Sequence, residues 1–288
     1  GYPMPLIIDA VTNPTMDLVI QGAVDNQIEF TDLAIISLNI NGAQVVGAGE
    51  HLKINNVTTS TASTNYFQYA LVQNSLFEMK DSNFGTMMKY GYTDIETSTV
   101  TFTNNVFQGV MWDHSEIRTT TVLTASGNTH TSTMRFYFTK IIDSTLTFDS
   151  NTHIVTQSSG SYDAIAIYID ILSYVQSGAV LTFSNNQIHG IHTTGSVSKK
   201  GYAVYWSTSS YIQTGSIIKY LDNDIQGTTN GNPGHAIYQR SLMNGGSKYE
   251  FNTWNSVVGS VWFNIAGYPM PLIIDAVTNP TMDLVIQG

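Results

Sequence analysis

The chain contains no cysteine. Disulfide staples, thiol nucleophiles and thiolate metal sites are therefore excluded. Charge is scarce too: 11% of residues are charged, less than half the usual share of about 25%. Bases are the scarcer sign, with 11 Lys and Arg against 21 Asp and Glu and a net charge of −10. That balance excludes nucleic acid and anionic membrane surfaces as natural partners. No apolar run approaches the ~20 residues of a membrane helix, so no span is expected in this segment. Helix signals are nearly absent, and Gly and Pro interrupt the sequence throughout. What remains is Thr, Ser and Asn polarity mixed with β-branched and aromatic residues. This is a strand-forming composition with a hydrogen-bonding, weakly charged surface, common among secreted proteins.

The strands repeat. LIIDAVTN at 6, IEFTDLAI at 28, LKINNVTT at 52, FEMKDSNF at 77 and VTFTNNVF at 100 align with LTASGNTH at 123 and LTFDSNTH at 146. LTFSNNQI at 181, IKYLDNDI at 218 and YEFNTWNS at 249 complete the set. The first column is Leu6, Ile28, Leu52, Phe77, Val100, Leu123, Leu146, Leu181, Ile218 and Tyr249, all apolar. The third is Ile8, Phe30, Ile54, Met79, Phe102, Ala125, Phe148, Phe183, Tyr220 and Phe251, again apolar. Glu29, Lys53, Glu78, Thr101, Thr124, Thr147, Thr182, Lys219 and Glu250 lie between them, giving the in–out–in alternation of a strand with one buried face. A period near 23 residues that stacks like on like predicts an all-β, single-stranded parallel β-helix of about ten coils. Crossover handedness predicts a right-handed one.

The same 22 residues, GYPMPLIIDAVTNPTMDLVIQG, occupy positions 1–22 and 267–288. Successive third-column spacings of 22, 24, 25, 23, 23, 23, 35, 37, 31 and 23 carry Ile8 to Ile274, 266 residues away. The second copy thus sits at a regular slot. Residues 1–266 read as one β-helix unit and 267–288 as the start of the next identical tandem unit. Without the second copy's Asp275 and Asp283, one period carries a charge of −8. Tyr249, Phe251, Trp254, Leu272, Ile273 and Ile274 are the residues expected at the joint between units. Neither end shows a cap, so identical units stacking end to end are the expected partners, within one chain or between subunits.

Asn105, Asn128, Asn151, Asn186 and Asn223 each follow the third column by three residues. Identical amides at one solenoid position predict an internal ladder. Four of these coils read F/Y-x-x-N (FTNN, FDSN, FSNN, YLDN), and GYAVY at 201, GHAIY at 234 and YDAIAIY at 162 follow later in the coils. With FxxN and a GGA[IVL]-like strand, the chain resembles the chlamydial polymorphic outer-membrane proteins. More broadly, it resembles pectate-lyase-like right-handed β-helices. Tyr202 and His235 stand where the signature has its second Gly. The resemblance implies an extracellular or surface-displayed adhesive or structural role, with no assigned active site.

Other clusters compete with that role. Asp94, Glu96, Asp113, Glu116, Arg118 and Lys140 on neighbouring coils are the nearest match to a polysaccharide-cleaving groove. The plainer reading is an exposed ion-pair patch. The outward Thr column offers an ice-binding face, or simply a solvated β surface. His130 and His153 share a column, and stacking of like residues accounts for them without a metal. His189 and His192 have no acidic neighbour in the sequence pattern. Three long coils carry surplus loops, TQSSGSYD at 156, TTGSVSKKG at 193 and TTNGNPG at 228. Their Gln157, Ser158, Ser161, Tyr162, Ser196, Lys199, Lys200, Asn230 and Asn232 are candidates for lateral contact or self-association. The sequence therefore predicts a non-catalytic, cofactor-free repeat unit of a giant extracellular or cell-surface filament. A carbohydrate-cleaving β-helix or an ice-binding solenoid stands as the alternative.

Overall fold

A computed structural model describes residues 6–12, 16–21, 27–158, 161–194, 199–213, 215–243, 247–252, 256–264, 272–274 and 282–287. Among the described residues every regular element is a strand. Among these residues no helix is long and apolar enough to cross a membrane. The chain winds as a parallel β-helix whose coils carry up to three principal strands. Sheet one holds Leu6–Asp9, Gln27–Ile35, His51–Thr59, Leu76–Lys80, Thr99–Thr103 and their successors to Leu272–Ile274. Sheet two runs from Asp17–Gln21 through Val110–Asp113 to Met282–Gln287, and sheet three from Gln44–Val46 to Leu242–Met243.

The pairing in sheet one follows the sequence columns. Ile28 opposes Leu52, Leu52 opposes Phe77, Val100 opposes Leu123, Leu146 opposes Leu181 and Ile218 opposes Tyr249. A slip of one residue would turn every apolar side chain outward, which fixes the register. Inside, Phe30, Phe77 and Phe183 are fully buried and Phe102 and Phe148 nearly so. They pack against Ile40, Phe67, Tyr90, Trp112, Phe136 and Trp206 of sheet two and against Val72, Ile95, Ile117 and Ile141 of sheet three. Each large apolar side chain contributes roughly 1.5–3 kcal/mol through burial.

Three positions depart from the simple alternation. Leu6 and Ile8 are half-buried rather than buried, because their strand pairs on one side among the described strands, with Gln27–Ile35. Glu250, in the outward column, is 8% exposed. Lys219 and Lys248 both bridge its carboxylate and cover it. Burial pushes this carboxyl upward, but the two lysines outweigh burial and hold it below its usual range. Glu29, Lys53, Thr101, Thr124, Thr147 and Thr182 face outward and are half-buried by their neighbours.

The coils turn at corners marked by one or two residues with positive φ. After sheet one the residue is Asp32, Asn56, Asp81, Asn104, Gly127, Ser150, Asn185 and Asp222 in successive coils. Asn, Asp and Gly tolerate the left-handed region best, which is why these types recur there. After sheet two it is instead Tyr69, Tyr92, His114 and Phe138, bulky residues for which this conformation costs about 1 kcal/mol or more. Their rings stack along the axis, with Tyr69–Tyr92 centroids 5.1 Å apart, Tyr92–His114 4.9 Å and His114–Phe138 4.5 Å. Stacking of this kind offsets roughly 0.5–1.5 kcal/mol per pair. The ring faces are turned toward one another and the edges toward solvent.

Candidate functional site

Wherever the chain turns a corner, the strand ladder breaks and leaves backbone N–H and C=O groups that need partners. The Asn row supplies them after sheet one. Asn105, Asn128, Asn151, Asn186 and Asn223 are at most 1% exposed. The Oδ1 of Asn128 accepts the backbone N–H of Asn105 at 2.9 Å and its side-chain amide at 3.0 Å. The Nδ2 of Asn128 donates to Phe102 O at 2.8 Å in the preceding coil and to Asn151 Oδ1 at 3.0 Å in the following one. Asn151 repeats the pattern onto Ala125 O and Asn186, and Asn186 onto Phe148 O and Asn223. In the preceding coils Ser82 and then Val57 hold the position, with Ser82 Oγ accepting Val57 N. Phe251 opposes Tyr220 while Ser256 opposes Asp224, so this coil has one extra residue between the two pairings. Trp254, expected at the joint, lies outside the described residues.

Two further rows work in the same way, and the sequence pattern did not single them out. Ser75, Ser98, Thr121 and Ser144 recur every 23 residues and are buried at the corner after sheet three. Ser98 Oγ accepts Ser75 N at 3.2 Å and lies 3.1 Å from Val72 O and 2.7 Å from Glu96 O, the carbonyls its hydroxyl can donate to. Thr93, Ser115, Thr139 and Ser173 do so after sheet two, with Thr93 N donating to Ser115 Oγ at 3.1 Å and Thr139 N to Ser173 Oγ at 3.2 Å. The spacing was the available signal. Ser and Thr are so often solvated that the type alone pointed nowhere.

Asn151→Ala is expected to lower stability by at least ~2 kcal/mol, because it strands the Asn128 N–H and the Ala125 carbonyl in a buried corner. Chemical denaturation measures this directly. A change below ~0.5 kcal/mol would mean that the ladder carries no weight.

The long coils build a lateral fin. Strands Thr152–Gln157, Gln187–His192 and Asp224–Thr229 run past the corner, and Ala164–Ile169, Gly201–Trp206 and His235–Gln239 return beside them. Glycine permits this closeness. A Cβ on Gly190 would meet Tyr202 O at 1.9 Å, one on Gly201 would meet Thr228 O at 2.1 Å, and one on Gly227 would meet His235 O at 1.9 Å. The Gly of GYAVY therefore serves backbone approach. Ser158, Ser161, Tyr162, Lys200, Asn230 and Asn232 are exposed on this fin, and Gln157 and Lys199 half-buried. Thr194 Oγ1 donates to Ser158 O and Lys200 N to Asp163 Oδ1, tying neighbouring loops together. Ser196 lies outside the described residues.

The charged cluster is narrower than its sequence pattern. Arg118 stands 3.6 Å from Asp94, 3.6 Å from Glu96 and 3.3 Å from Glu116, and Lys140 bonds Glu116 at 2.5 Å. Asp113 does not join them. It projects from sheet two, where Lys89 and His114 bond it, each at 2.6 Å. His189 does have an acidic neighbour, Asp224 Oδ2 at 2.9 Å, because coil stacking sets Gln187 opposite Asp224. His130 and His153 stack within the core with ring centroids 4.3 Å apart. Among the described residues no group of three or more His, Asp or Glu is placed to hold a metal.

One further arrangement resembles a catalytic pair. Ser260 Oγ lies 2.6 Å from His235 Nδ1, and Lys200 Nζ lies 3.1 Å from His235 Nε2. A lysine ammonium only donates, so Nε2 accepts and the ring proton sits on Nδ1, aimed at the serine oxygen. That is the reverse of nucleophile activation. Burial, and then the Lys200 charge, depress His235 to about 4, which makes it a weak base at neutral pH. Compared with known proteins, the chain matches no family model, and no curated protein or solved structure is significantly similar to it.

Proposed function

We propose that the chain is one repeat of an extracellular or surface-displayed β-helical filament, a stiff adhesive or mechanical element without catalysis. One observation supports this above the others. The duplicated segment takes up coil strands at both of its positions. In the first copy Leu6, Ile8 and Leu18 pair forward onto Ile28, Phe30 and Leu38. In the second, Leu272, Ile274 and Leu284 pair backward onto Tyr249, Phe251 and Val261. One sequence thus accepts a coil on either side, which is what a seamless joint between identical units requires. Tyr249, Phe251, Leu272, Ile273 and Ile274 lie on the paired strands of that joint. The surface-adhesion part of the reading rests on the resemblance to the polymorphic outer-membrane proteins. The Asn and Ser/Thr rows suit a load-bearing rod, because they bond each corner to the coil beneath it.

Electron microscopy of the assembled protein tests the proposal. Ten coils at about 4.8 Å each should give an axial repeat of about 48 Å per unit. A repeat outside roughly 45–55 Å, or the second copy folded back beside the first, would refute the joint. The enzymatic alternative is separately testable. The chain is expected to cleave no polysaccharide, and a cleavage activity abolished by Glu96→Gln with Arg118→Ala would replace the structural reading.

A further inference from the structure

In the third column of sheet one, large side chains run through Met79, Phe102, Phe148 and Phe183, with Ala125 set between Phe102 and Phe148. Where Ala125 falls short, the core holds a cavity of about 20 Å³, lined among others by Tyr90, Phe102, Trp112, His130 and Phe148. The site is polar as well as roomy. Tyr90 is 0% exposed and His130 5%, and no protein group pairs with Tyr90 Oη or His130 Nδ1. Asn128 also lines the cavity, but its amide is committed to Phe102 O and Asn151 Oδ1.

We propose that the Ala125 gap is a binding site for one structural water, which bridges Tyr90 Oη and His130 Nδ1. A water needs roughly 10–15 Å³ of such space and two or more polar partners, and this cavity offers both. The chemistry of the pair is complementary. The tyrosine hydroxyl donates to the water oxygen. The water donates onward to Nδ1, which carries a lone pair when the imidazole is neutral with its proton on Nε2. Burial favours that neutral form. The gap and its two polar groups then form one unit: a larger residue at position 125 would take the water's place and leave both groups unpaired.

High-resolution structures of the 288-residue chain and its Ala125→Leu and Tyr90→Phe variants decide the matter. The wild type should show one peak within hydrogen-bonding distance of both Tyr90 Oη and His130 Nδ1. Ala125→Leu should lose that peak, and in Tyr90→Phe its occupancy should fall by half or more. If Ala125→Leu does not fold, Ala125→Val and Tyr90→Phe carry the comparison. A wild-type gap without a peak, at a resolution where other buried waters are visible, overturns the proposal. So does a peak unchanged in Tyr90→Phe.

Discussion

Acidification from pH 7 to pH 4.5 is expected to remove about 3 kcal/mol of folding stability through His153 alone. This imidazole is fully buried in the inner column Phe84, Phe107, His130, His153, Ile188. Neither of its ring nitrogens meets a protein partner. Burial depresses it from 6.5 to about 3. A group depressed in the folded state takes up its proton more readily once unfolded. The stability it confers is therefore whole above about 6.5 and drains away as pH falls toward about 3. His130, also held well below its ordinary value by burial and then by His153, pulls in the same direction. The lowered carboxyls Asp113, Asp149 and Asp224 lose their contribution further down, below about pH 4. His153→Phe continues the Phe84–Phe107–His130 ring stack with an apolar ring in place of the buried imidazole. It should be at least as stable as the wild type at pH 7 and should flatten the slope between pH 7 and 4.5. Urea midpoints across that range measure both effects. Equal losses in the wild type and in His153→Phe would show that the core histidine is not the titrating group.

Gly227→Ala is expected to cost ~3 kcal/mol or more, above the usual range for overpacking. The added methyl would meet His235 O at 1.9 Å, its carbon at 2.1 Å and Ala236 N at 2.8 Å. All three are backbone atoms within paired strands, so they cannot swing aside as a side chain would. Gly178→Ala is the control. Gly178 has φ +78° but nothing within 4 Å of its would-be Cβ, so the cost there is conformational alone, about 1 kcal/mol. Equilibrium denaturation of both variants separates the two causes. Similar losses in the two would mean that the fin does not depend on close approach, and proteolysis at the fin loops of Gly227→Ala would report whether it opens locally.

Much of the architecture is written in local periodicity. Leu52, Phe77, Val100 and Leu123 repeat at nearly constant spacing with apolar partners two residues on, and this alone sets strand, face and register. Asn105 through Asn223 were legible for the same reason, because an amide recurring at one slot of five successive coils finds its partners in the coils on either side. The Ser/Thr rows at Ser98 and Ser115 were not, since a serine in sequence looks alike whether it caps a buried corner or faces water.

Other features depend on which coils come to lie together. His189 meets Asp224 because two long coils share a register although the residues are 35 positions apart. Asp113 parts from Glu116 because a corner falls between them. Gly227 is needed for the backbone returning at His235, and Ala125 matters through Trp112 and Tyr90 on the opposite sheet. The sequence by itself determined the repeat, the inward columns and the Asn row, because each follows from residue type at a fixed spacing. The tertiary structure decided the corner bonding, the glycine pinch, the core gap and the ion-pair partners, because these arise where separate sheets converge and no single spacing along the chain encodes that distance.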